Sequence, residues 1–185
     1  MRQFIWLFSI ILTLGLSAVA SAQVSVQDSR LSKIHSQIIS DHPNLTHISA
    51  AEIDALIGDN DNILLLDVRK DKEFAVSHID GALRVDPDIS PADFMTRFGA
   101  QAAGKQVIVY CSVGRRSSKL GARVKEPLIA AGASGVVNLE GGIFRWHNNH
   151  RPLANGVKKT ESVHPYNVWW ARLLERKDDI SYKAE

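Results

Sequence analysis

The sequence predicts an α/β domain with a mostly parallel central sheet flanked by helices on both faces. Three observations carry this. Short β-prone runs alternate with helix-compatible segments along most of the chain. The run Ile63-Leu64-Leu65-Leu66-Asp67-Val68 is apolar without polar alternation, which suits a strand covered on both faces. A second run, Val107-Ile108-Val109-Tyr110, leads through a glycine-bearing loop into a helix-compatible stretch.

The elements follow in order. Ile34, Ile38 and Ile39 recur at helical spacing, so a short helix is expected over residues 32–40. Ser49 with Glu52 is a capping-box signal, and Ile53, Leu56 and Ile57 give that helix one apolar face ending near Gly58. The buried strand over 63–68 comes next, then a short helix opening at Asp71-Lys72-Glu73-Phe74. Ile79-Asp80-Gly81 reads as a turn into a strand reaching Val85. Pro87 and Pro91 mark a loop, and Pro91 suits the first turn of a helix running to Phe98. The 107–110 strand follows, with its helix expected over 117–131. Val136-Val137-Asn138-Leu139 is the last strand, and Glu140-Gly141-Gly142 leads into a helix over 143–147.

The ends read differently. Arg2, an apolar run over residues 4–16 and Ala20-Ser21-Ala22 have the form of a secretory leader cut after Ala22, too short for a spanning helix of about 20 residues. The expected organisation is a leader over 1–22, an extension over 23–45, the domain over 46–153 and a helical C-terminal extension over 154–185. The expected location is periplasmic or secreted, with no membrane insertion after cleavage. In the tail, Val168, Trp169, Trp170, Leu173 and Leu174 form an apolar cluster, expected to dock on the domain or else to meet a protein partner or a membrane surface.

The net charge of +2 and the lack of a long basic run leave no footprint for nucleic acid. One cysteine among 185 residues cannot supply a structural zinc site or an internal disulfide. His35, His42 and His47 lie in a polar segment and are expected to be surface residues; no metal and no cofactor is expected. An exported chain usually pairs its cysteines, and an unpaired thiol is exposed to oxidation. Cys111 is easier to understand if its sulfur reacts.

Its setting supports that. Cys111 sits at the end of a strand, before Gly114, Arg115 and Arg116 and a helix start. The thiolate is the nucleophile, and helix N-termini and nearby arginines favour it. Backbone N–H groups over 112–116 can curl into an anion-binding nest around the sulfur, and Gly114 relaxes the tight loop. The plainer reading of a lone cysteine is a buried small hydrophobe.

Three segments carry a family likeness. They are Leu66-Asp67-Val68-Arg69 with Glu73-Phe74 and His78-Ile79-Asp80-Gly81-Ala82; Cys111-Ser112-Val113-Gly114-Arg115-Arg116-Ser117; and Asn138-Leu139-Glu140-Gly141-Gly142-Ile143-Phe144-Arg145-Trp146. In this order they resemble the rhodanese family of sulfurtransferases, over about residues 48–153. The resemblance implies a single rhodanese-like domain that moves a sulfane sulfur from a donor such as thiosulfate to cyanide or a thiol through a Cys111 persulfide. It implies Cys111 as the catalytic residue. Ser112, Val113, Gly114, Arg115, Arg116 and Ser117 are expected to bind substrate, with Arg116 on the donor's oxyanion, Arg115 steering anions, and Ser117 or Ser118 capping the helix or bonding the sulfur. Asp67 and Arg69 are expected to pair in support of the loop, Glu73 and Trp146 to be structural, and His78 to order its turn. The partners expected are a small anionic sulfur donor and a thiol or cyanide acceptor.

Two other classes stay open. A rhodanese-like module without catalysis would bind a partner or sense oxidants. Related phosphatase loops place the arginine after five intervening residues, where this chain has Ser117. Arg116 comes after four, so the resemblance implies a tighter loop sized for sulfur, against phosphatase or arsenate-reductase activity. A thioredoxin-like role lacks a resolving cysteine.

Overall fold

The computed structural model describes residues 25–57, 62–156 and 158–184. The leader expected over 1–22 and the helix end near Gly58 lie outside them. The element order is α1 (Val26–Asp41), β1 (Thr46–Ile48), α2 (Ala50–Ile57), β2 (Ile63–Asp67), α3 (Asp71–Val76), β3 (Leu83–Arg84), α4 (Pro91–Ala102), β4 (Gln106–Tyr110), α5 (Arg115–Ala130), β5 (Gly135–Leu139) and α6 (Gly142–Asn148). A short hairpin, β6 (Leu153–Asn155) with β7 (Lys158–Thr160), follows.

The main sheet has the order β1-β5-β4-β2-β3, with every pairing parallel. β4 lies in its middle, so the end of β4 is walled by neighbours on both sides. Strand alternation divides two cores. Ile108, Tyr110, Leu65 and Val137 face a cluster with Leu31 of α1, Ile53 of α2 and Phe144 of α6. Val107, Val109, Leu64 and Leu66 face another with Phe94 and Phe98 of α4 and Leu120 and Val124 of α5. Burying each such aliphatic side chain contributes about 1.5–3 kcal/mol, which is why the continuous apolar runs become central strands.

Caps set the helix starts. Ser25 Oγ accepts the Asp28 N–H at 2.9 Å, so α1 begins well before residue 32. Ser49 and Glu52 form the expected reciprocal box, with Ser49 N–H donating to Glu52 Oε2 at 2.8 Å and Glu52 N–H to Ser49 Oγ at 3.2 Å. α4 passes Phe98 because Gly99 and Ala102 continue its buried stripe. α5 begins at Arg115, two residues before the expected start, because Gly114 in the left-handed region (φ +99°) turns the chain into the helix.

The C-terminal extension corrects an expectation. In place of an α-helix, the described tail forms the β6–β7 hairpin and two single 3₁₀ turns, Trp170–Leu173 and Lys177–Asp179. Asn155-Gly156 is a hairpin dipeptide, and Gly156 takes a positive φ of 61°. Pro165 further breaks helical continuity. The tail still docks: Val163 and Leu174 are fully buried, and Ala154 pairs in antiparallel fashion with His78.

Candidate active site

β4 delivers Cys111 to the carboxyl edge of the sheet, where a parallel α/β fold places ligands. The loop then folds back on the Cys111 sulfur. Gly114 N–H points at Cys111 Sγ from 3.3 Å. The first bond of α5 runs from Ser118 N–H to Gly114 O at 3.0 Å, so the amides of Arg115, Arg116 and Ser117 precede the intrahelical ladder. A helix N-terminus and an aimed amide stabilise negative charge on that sulfur, whether thiolate or persulfide.

The loop is clamped from behind. Ile143 N–H donates to Cys111 O at 2.9 Å, and Phe144 N–H to Ser112 O at 3.0 Å. The start of α6 thus fixes both carbonyls. Gly142 makes this approach feasible: at φ +56°, a Cβ there would stand 2.3 Å from Cys111 O. This is the physical content of the Glu140-Gly141-Gly142 segment that leads into α6.

Side chains brace the same loop. Asn138 Oδ1 accepts from Ser117 Oγ at 2.6 Å, and Ser117 Oγ also reaches Gly114 O at 3.1 Å. Ser117 therefore holds the loop; its hydroxyl is bonded to these partners, and the N-cap position belongs to Gly114. Asp67 and Arg69 pair as expected, with Arg69 Nε to Asp67 Oδ1 at 2.8 Å and Nη2 to Oδ2 at 2.7 Å, both side chains fully buried. Arg69 Nη2 also donates to Ser77 O at 2.6 Å, tying β2 to the turn before His78. Burial alone would lower the Arg69 pKa, but Asp67's charge and hydrogen bond raise it. His78 orders its turn: Nδ1 lies 3.1 Å from Phe74 O and its ring stacks on Phe74 at 3.9 Å. Trp146 is core, its indole N–H on Pro152 O at 2.9 Å.

Arg116 lines the Cys111 cavity, and its side chain hydrogen-bonds the Cys111 sulfur. Its fork is taken by Glu73, with Nη1 to Oε2 at 2.8 Å and Nη2 to Oε1 at 2.7 Å. Nη2 also reaches Ser112 Oγ at 3.0 Å, and Ser112 Oγ donates to Glu73 Oε1 at 3.1 Å. Burial pushes the Glu73 carboxyl up, but the hydrogen bonds and charge of Arg116, with the charge of Arg69, outweigh it and hold it below the ordinary carboxylate range. Glu73 is therefore an anion within this site. Its role was not legible locally: 43 residues separate it from Arg116.

A cavity of about 200 Å³ opens on this arrangement, lined by Cys111, Ser112, Val113, Arg115, Arg116, Tyr166 and Trp170. Arg115 is exposed at its rim. A larger cavity of about 410 Å³ lies elsewhere, lined chiefly by apolar side chains with Asp80 as its only ionisable group; it contains no nucleophile. The aromatic pair in the Cys111 cavity comes from the tail and had no local signal beyond the Trp169-Trp170 cluster. Trp169 itself is 67% exposed. Among the described residues no group of histidine, cysteine, aspartate and glutamate side chains is arranged to hold a metal ion. His35 and His47 are not free surface residues but stack edge to face at 4.7 Å beside Asn138 and Glu140.

The family profile of the rhodanese-like domain matches residues 49–149, more than half of the chain. The chain belongs to the rhodanese family. A relative named sulfurtransferase, from Allochromatium vinosum, is 28% identical over 109 residues, covering 59% of this chain and 94% of the relative. A tRNA uridine(34) hydroxylase of Salmonella arizonae is 31% identical over 110 residues, covering 57% of this chain and 29% of that protein. The chain spans less than half the length of several curated relatives it matches. A rhodanese-related protein of Thermoplasma volcanium is similar in structure, with a TM-score of 0.46, 24% identity, and coverage of 60% of this chain and 98% of that one. Sulfur transfer is supported at the level of the family. The matched residues include the Cys111 loop, while α1 and the tail lie outside them.

Proposed function

We propose that this rhodanese-family protein is a sulfurtransferase that works through a persulfide on Cys111. The Cys111 thiolate attacks the outer sulfur of a donor such as thiosulfate. The donor's sulfur–sulfur bond breaks, sulfite leaves with the electron pair, and Cys–S–S⁻ remains. An acceptor nucleophile, cyanide or a thiolate, then attacks the outer sulfur and regenerates the thiolate. This is ping-pong covalent chemistry. It needs no general base if the thiolate is already stabilised, and both the Gly114 N–H and the Arg116 side chain hydrogen-bond the sulfur.

The observation that carries the reading is the sulfur's own position. It sits at the end of the central strand, faces an aimed amide at 3.3 Å, and opens to a small cavity. The leader-like residues 1–22 support export to the periplasm, and the four-residue spacing between Cys111 and Arg116 favours sulfur over phosphate.

Intact-mass spectrometry tests this. The reduced protein gains the mass of one sulfur on treatment with thiosulfate or a thiosulfonate, loses it to cyanide, and shows neither change in Cys111→Ser. A folded wild-type protein that takes up no sulfur from any of these donors sinks the reading and favours a binding or oxidant-sensing module.

A further inference from the structure

We infer that the C-terminal extension makes this site select sulfane sulfur carried on an apolar body of single negative charge, with Tyr166 and Trp170 as the specificity-determining wall. This rests on the persulfide reading above and names the donor class for it.

Charge is the first argument. A dianionic donor needs free cationic groups. Arg116 is already committed: its terminal nitrogens donate to the fully buried Glu73 side chain, Nη2 also to Ser112 Oγ, and the same side chain hydrogen-bonds the Cys111 sulfur. The Tyr166 ring lies over the same guanidinium at 4.8 Å, covering a face that Glu73 leaves. Glu73 and Arg116 offset each other, and among the described residues lining the cavity Arg115 is the remaining charged side chain, with no ion pair. The backbone amide and the helix terminus already serve the sulfur. One cation at the rim matches one negative charge.

The wall is the second argument. Trp170 meets Tyr166 edge to face at 5.7 Å and the fully buried Phe144 at 6.5 Å. The lining is therefore aromatic across from the nucleophile, and aromatic faces pair with other rings and with polarisable sulfur. Its geometry is held in place at a conformational cost. Tyr166 is a non-glycine residue at φ +66°, in the left-handed region that side chains avoid. Tyr166 N–H donates to Nδ1 of the buried His164 at 3.0 Å, and Asn167 Oδ1 accepts the N–H groups of Trp169 and Trp170, each at 3.0 Å. Strain persists only where surroundings over-determine it, and here it aims a ring into the cavity.

The step balances without another reactant. With an organic thiosulfonate, R–SO₂–S⁻, the Cys111 thiolate attacks the terminal sulfur, the S–S bond breaks, and R–SO₂⁻ leaves as sulfinate, giving the same persulfide. The R group then lies against Tyr166 and Trp170.

The test compares thiosulfate, methanethiosulfonate and benzenethiosulfonate as donors to the whole protein, with cyanide as acceptor. The last two share charge and differ in the apolar group. The readout is the ratio of their kcat/KM values, which is independent of the folded fraction and in which intrinsic reactivity cancels between variants. Wild type prefers benzenethiosulfonate, and it uses either thiosulfonate better than thiosulfate. Tyr166→Ala and Trp170→Ala each lower the ratio by about threefold to tenfold, the range for one aromatic contact. Tyr166→Phe keeps it, and so does Trp169→Ala, whose ring is outside the cavity. A ratio that stays at the wild-type value in both alanine variants overturns the inference while leaving the persulfide mechanism in place. Thiosulfate used as well as the thiosulfonates overturns its charge half. No sulfur uptake from any donor removes the underlying reading and the inference with it.

Discussion

Glu73→Gln isolates the buried ion pair beside Cys111. The substitution keeps the shape of the side chain and removes its charge. Glu73 accepts from both terminal nitrogens of Arg116 at 2.7–2.8 Å, from Ser112 Oγ at 3.1 Å and from Lys70 N–H at 3.2 Å. Hydrogen bonds to charged groups contribute about 1.5–3 kcal/mol each. The glutamine carbonyl recovers one Arg116 bond, but its NH₂ faces the other donor and cannot accept. Breaking a fully buried pair costs roughly 3–5 kcal/mol. The Arg116 side chain is 24% exposed and partly rehydrates, so the expected loss is nearer ~2–3 kcal/mol. At about 2–4 °C per kcal/mol for a protein of this size, Tm falls by roughly 5–10 °C. The sign of the pH dependence follows from the depressed Glu73 pKa. Its contribution is present above the unfolded carboxyl value of 4.5 and is lost as pH falls through the lower folded one. The gap between wild type and variant therefore closes on acidification. Activity moves the other way: an uncovered guanidinium beside a dianion is worth at least ~1 kcal/mol even with water-like screening at about 4 Å, so KM for thiosulfate drops by about fivefold or more. Circular-dichroism melts across pH and initial rates with thiosulfate read both effects. An unchanged Tm at neutral pH, or a KM that rises, refutes the account of Arg116 as a cation neutralised by Glu73.

Two further outcomes follow from the same structure. Gly142→Ala places a methyl 2.3 Å from Cys111 O at a backbone φ of +56°, so conformational strain of about 1–2 kcal/mol adds to overpacking of about 1–3 kcal/mol; Tm and sulfur transfer fall together although Cys111 is untouched, and a wild-type melt would remove the α6 clamp from the explanation. His47 is held down to about 4 by burial and then by the neighbouring His35, so the unfolded chain binds a proton that the folded chain refuses between pH 6.5 and about 4; stability declines as pH is lowered through that window, and His47→Gln flattens the decline in a pH series of urea melts.

The two cysteine-loop supports differ in kind. The α6 amides fix the backbone carbonyls of Cys111 and Ser112, while Asn138, Ser117 and Glu73 fix side chains. A glycine in the left-handed region is required at each end of this arrangement: Gly114, where a Cβ would meet Asn138 Nδ2 at 3.0 Å, and Gly142. The rhodanese signature segments are thus contact surfaces of one another, brought together by adjacent strands β2, β4 and β5.

The sequence by itself determined the sheet and much of the Cys111 loop. Continuous apolar runs at Ile63–Asp67 and Gln106–Tyr110 bury on two faces whatever surrounds them, because a parallel strand has no wet side. The Ser49–Glu52 box and the Asp67–Arg69 pair are also local, spanning three and two positions, and chain geometry alone brings such partners together. The Asn155-Gly156 turn of the tail hairpin is also a local signal, which the helical expectation for the tail passes over. Tertiary structure decided the rest. Glu73 captures Arg116 across 43 residues, and it does so because α3 and α5 begin at neighbouring strand ends. Isoleucine spacing in α1 predicts an apolar face, but only packing shows Ile38 set against Gly114. In sequence Trp170 reads as core or as partner surface and Tyr166 carries no signal, since patterning records which residues need cover and not which surface covers them. That choice is made by the docking of Val163 and Leu174, which fixes where the tail lies and so turns its rings toward Cys111.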